Sequence, residues 1–303
     1  MSDIRLFQYN TQQVTELPPK AAPVEKWLQQ LIESNMETFL GVRFLATEFS
    51  TSKSHGGRID SLGLDENNCP VIIEYKRHLN ENVINQGLFY LDWLMEHQAD
   101  FQLLVMERLG REVAGKIDWS APRLLCIAGD FTRYDEYAVQ QINRNIELLR
   151  YRLFSEDYLM LELVNRTEES KASRPVVMPN GERSEGHKHS VQQASKDLLS
   201  LYEALREYAF SLGEDVQEKE LKWYVAFKKL KNFLCVLFNT GKTAPCLVLF
   251  LNVDPSKIEL EEGFSCDKSN IGHLGTGNLE VRLRNMEDLE KAKPFIEMSY
   301  RNS

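Results

Sequence analysis

The sequence lacks the marks of a secreted, disulfide-bonded or membrane-spanning protein. Its five cysteines are scattered, odd in number and form no C-x-x-C pair, which argues against a disulfide framework and against structural zinc. No apolar run approaches the roughly 18 to 20 residues that a membrane span needs. Residues 1–7 have neither the basic start nor the apolar stretch of a signal peptide, so we expect a cytoplasmic protein.

The chain also lacks the excess of basic residues that broad wrapping of nucleic acid requires. Its 36 Lys and Arg residues are outnumbered by 45 Asp and Glu residues, which gives a formal net charge of -9. A globally acidic surface repels a phosphate backbone. A metal ion held by carboxylates inverts the local charge, so an acidic protein can still act on phosphate at one site. With 303 residues, the chain is long enough for two domains.

One segment combines strand patterns with charged residues. Residues 57–64 have the pattern of a strand led by Asp60, and after a turn residues 71–73 form the short apolar run of a buried strand. Glu74 and Lys76 interrupt the end of that run. Because side chains alternate along a strand, these two residues point to one face, where a paired strand can bring Asp60 alongside.

Two carboxylates and one ammonium group in a pocket allow two interpretations. Two anions about 4 Å apart repel by roughly 4 kcal/mol at an effective dielectric of about 20, so they need a shared proton or a cation. Carboxylate oxygens suit Mg²⁺, and Lys76 beside the ion would orient water or steady the charge that develops on phosphorus. The alternative is a strand-end salt bridge between Glu74 and Lys76, with Asp60 merely in a turn.

Two predicted helices carry further polar candidates. Over residues 82–97 the apolar positions recur at helical spacing, which places Gln86 and Tyr90 on one face. An amphipathic helix further upstream offers Glu25 and Glu33 as extra carboxylates. Solvated helix faces are rich in Glu and Gln, however, and a tyrosine can equally belong to the core.

Six residues occur in an order that a known family shares: Glu25, Asp60, Glu74, Lys76, Gln86 and Tyr90. This order resembles the PD-(D/E)XK nuclease superfamily. The Asp-to-Glu spacing and the Gln-x-x-x-Tyr pair resemble its RecB-type and NucS-like branch. The resemblance covers roughly residues 20–165 and implies an α/β restriction-endonuclease-like fold, with a mixed central sheet flanked by helices.

The resemblance implies catalytic and metal-binding roles. It assigns Asp60 and Glu74 to a metal ion, Mg²⁺ with Mn²⁺ as substitute, and Glu25 to completing the acidic cluster. It assigns catalysis to Lys76 together with Glu74 and Asp60. Ile59 stands where the family commonly has proline, a variation that puts little in doubt.

Substrate contacts are expected from a second group of residues. The resemblance assigns Gln86 and Tyr90 to holding the substrate. Basic residues near the proposed mouth are further candidates, Arg58 and Arg77 foremost, and a solvated rim is the alternative for them. The other basic residues there are Lys53, His55 and His78.

A short helix is predicted after a buried strand over residues 122–129. It covers residues 136–142, with Asp135 as its N-cap. Arg133 and Tyr134 lie at the strand end near the site. Of the two roles open to them, reaching the site or capping and packing, we favour capping and packing.

The first domain is expected to end near Asn165, so that it covers residues 1–165. Residues 166–192 are polar, rich in Ser, Glu and Lys and without periodicity, which predicts a flexible linker. His187 and His189 alternate as metal ligands sometimes do, but in such a segment we expect them to be solvated.

Residues 193–303 predict a smaller α+β domain. A helix over residues 194–212 precedes four strand-like runs, and a last helix covers residues 286–298 with Asn285 as a cap, which indicates a largely antiparallel sheet. Residues 239–243 look like a P-loop, but its first glycine is missing and no helix follows, so we expect no nucleotide cofactor. The four runs are residues 221–227, 233–238, 246–253 and 279–283.

This second part resembles an uncharacterised C-terminal domain that is often fused behind such nuclease domains, in proteins sometimes labelled predicted transport proteins. A sequence without a membrane span does not support that label. We expect a recognition or assembly module that binds nucleic acid, a protein partner or a second copy of the chain. Its candidate contact residues are Lys222, Trp223, Tyr224, Lys242, His273, Arg282 and Arg284.

The sequence therefore predicts a two-domain protein that hydrolyses phosphodiester bonds, as an endonuclease or exonuclease, with DNA as the expected nucleic acid. The alternative is a catalytically silent regulatory protein that keeps the fold and binds nucleic acid or protein. The presence of Asp60, Glu74 and Lys76 together favours the enzyme, because a binding module has no need of all three. No membrane partner is expected.

Overall fold

The protein is described here as a computed structural model with two compact units, Met1–Pro175 and Val176–Ser303. The predicted domain limits at residues 165 and 193 remain a prediction. The residues that the structure describes are 4–10, 13–51, 56–77, 82–167, 187–241, 244–269 and 275–303.

The described residues of the first unit form nine strands and six helices. The strands are β1 (Leu6–Tyr9), β2 (Val14–Leu17), β3 (Pro19–Lys20), β4 (Val42–Ser50), β5 (Arg58–Asp65), β6 (Pro70–Lys76), β7 (Arg123–Ala128), β8 (Asn145–Phe154) and β9 (Tyr158–Thr167). The helices are α1 (Glu25–Ser34), α2 (Met36–Leu40), α3 (Asn82–Glu96), α4 (Gln98–Leu109), α5 (Arg111–Ala114) and α6 (Arg133–Gln140).

Seven of these strands form one mixed sheet. Its order is β3-β8-β7-β6-β5-β4, and β9 also pairs with β8. Strands β6, β7 and β8 are parallel, and the other pairs are antiparallel. Strands β1 and β2 form a separate two-stranded sheet. The mixed sheet with flanking helices confirms the predicted α/β class of this unit.

The centre of the sheet is buried, which explains the continuous apolar runs of β6 and β7. Helix α3 packs against both strands. Its residues Tyr90, Leu91 and Leu94 share a core with Ile72 of β6 and Leu124 of β7. The predicted helix over residues 82–97 is thereby confirmed to within one residue.

A buried ion-pair network joins three strands at the end of the sheet opposite to Lys76. Arg123, at the start of β7, donates to Asp65 at 3.0 Å and to Glu147 at 2.8 Å. The Asp65 carboxylate also accepts from the backbone N–H of Asn67 and Cys69, which closes the predicted turn. This network fixes β5, β7 and β8 together, because removing one partner would leave an uncompensated buried charge.

The start of helix α6 differs from the prediction. The N-cap is Thr132, whose hydroxyl accepts from the N–H of Asp135, while the Asp135 carboxylate accepts from the N–H of Thr132 at 2.7 Å. The prediction of Asp135 as the N-cap was wrong, because this reciprocal capping box starts the helix three residues earlier. The capping and packing role expected for Tyr134 was also wrong, since its side chain is exposed.

The second unit contains one antiparallel sheet of six strands, three α-helices and a short 3₁₀ helix (Pro255–Lys257) among its described residues. The sheet order is β10-β11-β12-β13-β15-β14, and α8 and α9 pack against it. The predicted antiparallel α+β arrangement is confirmed. The elements are α7 (His187–Gln193), α8 (Lys196–Ser211), β10 (Gln217–Glu220), β11 (Val225–Lys228), β12 (Asn232–Asn239), β13 (Cys246–Leu251), β14 (Ser265–Asp267), β15 (Leu279–Leu283) and α9 (Met286–Arg301).

Several details of the second unit depart from the sequence pattern. The predicted strand over residues 221–227 is interrupted, because Leu221 N–H bonds to Tyr224 O in a turn between β10 and β11. The predicted cap is confirmed, since the Asn285 side chain accepts from the N–H of Asp288. No helix among the described residues in either unit is long and apolar enough to cross a membrane.

The end of the predicted linker is helical. Helix α7 starts at His187, whose side chain is buried with its ring centroid 5.4 Å from that of Phe238, so the prediction that this histidine is solvated was wrong. The expectation for the His189 side chain and the predicted linker over residues 168–186 lie outside the part of the chain that the structure describes.

Candidate active site

Strands β5 and β6 separate at Asp60 and Glu74. Their backbone pairing ends at Ser61 and Ile73. At the next residue of each strand towards the site, Asp60 and Glu74, a side-chain carboxylate takes the place of the missing backbone hydrogen-bond acceptor. The Asp60 carboxylate accepts from the N–H of Tyr75 at 3.0 Å, and the Glu74 carboxylate accepts from the N–H of Asp60 at 3.2 Å. The two carboxylates therefore lie side by side at the strand end. Since Asp60 belongs to a strand, the alternative that placed it in a turn was wrong.

Gln29 of α1 positions the backbone of Asp60. Its side-chain amide donates to the Asp60 carbonyl at 2.7 Å and to Glu33 at 3.0 Å, and Lys26 donates to its carbonyl oxygen at 3.1 Å. Only 3% of this residue is exposed. Sequence patterns do not single out Gln29, because glutamine on a helix is commonly solvated. The one indication in the sequence is that Gln29 lies three residues before Ile32, so that both lie on the same face of the helix.

The two acidic residues of α1 have different surroundings. Glu25 lies 3.1 Å from the ammonium nitrogen of Lys76 and accepts from the N–H of Arg77 at 3.1 Å. Glu33 accepts from the hydroxyl of Ser61 at 2.6 Å. Ser61 points to the face opposite to its neighbour Asp60, because side chains alternate along a strand. Of the two carboxylates, Glu25 is thus the one at the site.

Burial raises the pKa of both central carboxyl groups. Desolvation, followed by the nearby charge of Asp60, raises the pKa of Glu74 to about 9. Desolvation also raises the pKa of Asp60, against the opposing effects of the Tyr75 N–H and the Lys76 charge. Glu74 is therefore protonated at neutral pH in the metal-free protein. The alternative salt bridge between Glu74 and Lys76 was wrong, since the ammonium group pairs with Glu25.

The donor set fits a divalent cation bound by two carboxylates. Oε2 of Glu74 is buried and accepts no hydrogen bond from the described residues. A cation would satisfy this oxygen, and Mg²⁺ commonly uses one or two carboxylates and keeps several waters. No cluster of three or more His, Cys, Asp or Glu side chains suited to a metal occurs among the described residues. Glu25, engaged by Lys76, is not part of such a cluster.

An open pocket of about 540 Å³ adjoins Asp60. Gln86 and Tyr90 of α3 both line it, in agreement with their predicted shared face, and Arg58 lines it as well. The ring of Tyr90 belongs to the core, while its hydroxyl accepts from the N–H of Arg58 at 3.1 Å. The remaining lining residues are Glu48, Ser50, Gly56 and Gly57.

Tyr90→Phe is expected to loosen the start of β5. The backbone at Gly57 passes so close that a Cβ there would come within 2.5 Å of Cε1 of Tyr90. Phenylalanine keeps this packing but leaves the N–H of Arg58 without its acceptor, which costs about 1 kcal/mol of unfolding free energy. We expect intact folding in urea titrations with that loss of stability and, if the nucleic-acid cleavage predicted from the sequence is present, a severalfold lower cleavage rate. Unchanged cleavage at reduced stability would show that Tyr90 has only a structural role.

The predicted basic rim is partly neutralised. Arg58 pairs with Glu48 at 2.9 Å, and the guanidinium of Arg77 donates to the carbonyl of Ala22 at 2.8 Å. Both arginines are exposed, Arg58 as the first residue of β5 and Arg77 directly after the end of β6. The expectations for Lys53, His55 and His78 lie outside the described residues.

The predicted contact surface of the second unit is only partly present. Tyr224 is buried, so its assignment to a surface was wrong. Trp223 is exposed, with the ammonium of Lys222 5.0 Å from its ring centroid. Arg282 pairs with Glu280 at 2.8 Å. Lys242 and His273 are not among the described residues.

Comparison with known proteins gives one match to a domain family and one to a whole chain. Residues 188–303 match the profile of a family described as a domain of unknown function (DUF5655). A protein of Haemophilus influenzae (strain Rd), named "Uncharacterized protein", is 27% identical over 311 residues, which cover 99% of this chain and 100% of that protein.

Two solved structures show a partial likeness. One is titled "crystal structure of a repair endonuclease from Pyrococcus abyssi" and covers 45% of this chain and 51% of its own, with a TM-score of 0.29 and 19% identity. The other is titled "Structure of EndoMS-dsDNA2 complex" and covers 42% of this chain and 44% of its own, also with a TM-score of 0.29 and 19% identity. The chain thus spans about half the length of these solved structures.

Proposed function

We propose that the first unit is a metal-dependent nuclease that hydrolyses phosphodiester bonds in DNA. The observation that carries this proposal is the opening between β5 and β6. There Asp60 and Glu74 lie side by side, one buried oxygen of Glu74 accepts no hydrogen bond from the described residues, and an ammonium group and an open pocket are close by. Burial raises the pKa of both carboxyl groups, and strongly perturbed carboxyl groups cluster at functional sites, which favours a functional role for the pair.

Asp60 and Glu74 would hold Mg²⁺ or Mn²⁺, which when bound supplies Lewis-acid stabilisation of charge on phosphate oxygens. Both side chains are prearranged for this, since each has one oxygen fixed by a backbone N–H. Gln29 fixes the Asp60 backbone from the other side. The pair therefore needs little reorganisation to bind a cation.

Lys76 would place a positive charge beside the reacting phosphate. Its ammonium nitrogen is anchored by Glu25 at 3.1 Å, and its side chain is largely buried. A fixed charge in a partly dehydrated site stabilises developing negative charge better than a solvated one. Glu25 thus acts as a positioning residue for Lys76, and Gln86 and Arg58 would contact the substrate in the pocket.

One observation favours the alternative of a catalytically silent binding protein. Two of the cations near the carboxyl pair, Lys76 and Arg58, are themselves paired with Glu25 and Glu48. In the alternative these pairs are structural, and the protein binds nucleic acid or a protein partner without cutting.

The test is cleavage by the purified full chain with Mg²⁺ or Mn²⁺ and with EDTA. We expect DNA to be cut with either ion, the activity to disappear with EDTA, and an excess of Mn²⁺ to restore it. Linear and closed circular DNA distinguish exonuclease from endonuclease activity, and RNA of the same sequence tests the choice of nucleic acid. If the parent binds a partner but cuts nothing with any divalent ion, the binding-protein alternative replaces this proposal.

A further inference from the structure

Helix α6 exposes two tyrosines on one face. Tyr134 and Tyr137 are 69% and 67% exposed, and residues three apart on a helix are neighbours. Neither side chain is needed for the helix itself, because Thr132 and Asp135 cap it and Val139 packs into the core. Two large aromatic rings left in water side by side are a feature of contact surfaces.

An arginine completes this surface. The guanidinium carbon of Arg133 lies 5.0 Å from the ring centroid of Tyr134, and its Nη2 donates to the Tyr134 hydroxyl at 3.0 Å. The guanidinium is exposed. Arg133 therefore places a cation against the ring of Tyr134, one helical turn from Tyr137, and a cation with neighbouring aromatic rings is a combination that binds a phosphate together with its bases.

The surface starts at the same edge of the sheet as the proposed centre. In the parallel pair of β6 and β7, Lys76 lies opposite Ala128, and Arg133 follows Ala128 after five positions. Cys126, two residues before Ala128 in β7, lies opposite Glu74 in the same register. Helix α6 therefore begins a few residues beyond the end of the strand that pairs with Glu74 and Lys76.

We propose that Arg133, Tyr134 and Tyr137 form a stacking surface for single-stranded DNA beside the cleavage site. This inference rests on the proposed function, and it assigns unpaired nucleotides to the substrate. Bases inside a duplex are stacked on one another and present no face to a tyrosine, whereas unpaired bases do. Each base stacked on an aromatic ring strengthens binding by roughly fivefold to more than a hundredfold.

The experiment measures binding of fluorescently labelled DNA by anisotropy in EDTA, so that no cleavage is required. We expect the double variant Tyr134→Ala/Tyr137→Ala to bind single-stranded DNA at least about 20-fold more weakly, and blunt duplex DNA less than about threefold more weakly. Tyr9→Ala is the matched control, because Tyr9 is 81% exposed in the separate β1–β2 sheet. It should bind both DNAs as the parent does.

Salt dependence tests the arginine separately. Arg133→Gln should lower the slope of log affinity against log salt by about 0.7 on single-stranded DNA, the value for one phosphate contact. Arg133→Lys should keep the slope. An unchanged slope in Arg133→Gln would remove the phosphate contact from the proposal.

The possible results separate this inference from the nuclease itself. Suppose that the parent cuts DNA, and that the double variant either binds single-stranded DNA as the parent does or loses duplex binding to the same extent. The proposal of a stacking surface is then wrong, and the proposal of a nuclease is supported. If binding depends on the tyrosines but nothing is cut, the nuclease is wrong while the surface stands. Tighter binding of RNA than of DNA overturns the assignment to DNA. Melting curves show whether the double variant folds, and if it does not, Tyr137→Ala alone decides.

Discussion

Glu74→Gln is expected to stabilise the metal-free protein while abolishing cleavage. The pKa of Glu74 is about 9 in the folded protein, against a usual value of 4.5. The folded state therefore holds a proton that the unfolded chain releases between these values. The contribution of this proton to the free energy of unfolding is fully present below pH 4.5. It is lost as pH rises towards 9, by up to about 1.4 kcal/mol per pH unit. Glutamine is neutral, keeps the shape and still accepts from the N–H of Asp60.

Unfolding in urea with EDTA at pH 6 and pH 8 measures the effect. The free energy of unfolding of the parent should fall from pH 6 to pH 8, whereas that of the variant should stay constant. At pH 8 the variant should therefore be more stable than the parent by about 2 kcal/mol or more. Mn²⁺ should narrow this difference, because binding stabilises the parent by about 2.7 kcal/mol at a hundredfold excess over the dissociation constant, and the variant by much less.

Glu112→Gln is the matched control for this prediction. Glu112 is an exposed carboxylate that pairs with Lys116 on the surface, so its replacement should change neither the pH dependence nor the response to Mn²⁺. A Glu74→Gln variant that is less stable than the parent at pH 8 in EDTA would show that Glu74 is ionised, and the account of the carboxylate pair would have to be abandoned.

The pairing of Asp60 with Glu74 could be predicted because it follows from local rules. Side chains alternate along a strand, and two short strands joined by a turn pair with one another in a narrow range of registers. Helix α3 could be predicted for the same reason, since its apolar residues repeat with the period of a helix and then pack against β6 and β7. In both segments the local pattern agrees with the final packing.

Contacts between distant segments could not be predicted in this way. Gln29 contacts the Asp60 backbone across 31 positions, and the choice between Glu25 and Glu33 depends on how α1 lies over the sheet. The residue pattern of a single helix does not determine how that helix is oriented over the sheet. The sequence therefore identified the correct helix and its acidic residues without showing that Glu25 contacts Lys76.

Buried charged residues were the other feature that could not be predicted from the sequence. Arg123 meets Asp65 across 58 positions and Glu147 across 24 positions, and each of the three taken alone is typical of an exposed strand end or turn. Their burial depends on the register of the strands from β5 to β8, because only together do they compensate one another. Hydrophobic periodicity contains no information about such a network.

Lys76→Met is expected to slow cleavage by about 10² to 10³ while leaving the fold and DNA binding nearly unchanged. Methionine keeps most of the volume of the lysine stem and removes the charge. Glu25 loses the ammonium group but keeps the N–H of Arg77, and it is 42% exposed and can be solvated, so the loss of stability should stay below about 1 kcal/mol. Single-turnover rates with Mg²⁺ and binding constants in EDTA separate the chemical step from substrate affinity.

Lys116→Met is the control for the lysine, because Lys116 forms an exposed pair with Glu112 at 2.7 Å. It should leave the cleavage rate unchanged. Glu25→Gln adds a second measurement, since it keeps the Lys76 charge but loosens its anchor, and its cleavage rate should fall between those of the parent and of Lys76→Met. If Lys76→Met instead cuts as fast as the parent, Lys76 serves only as a counterion that ties the end of β6 to α1, and the positive charge at the reacting phosphate must come from elsewhere.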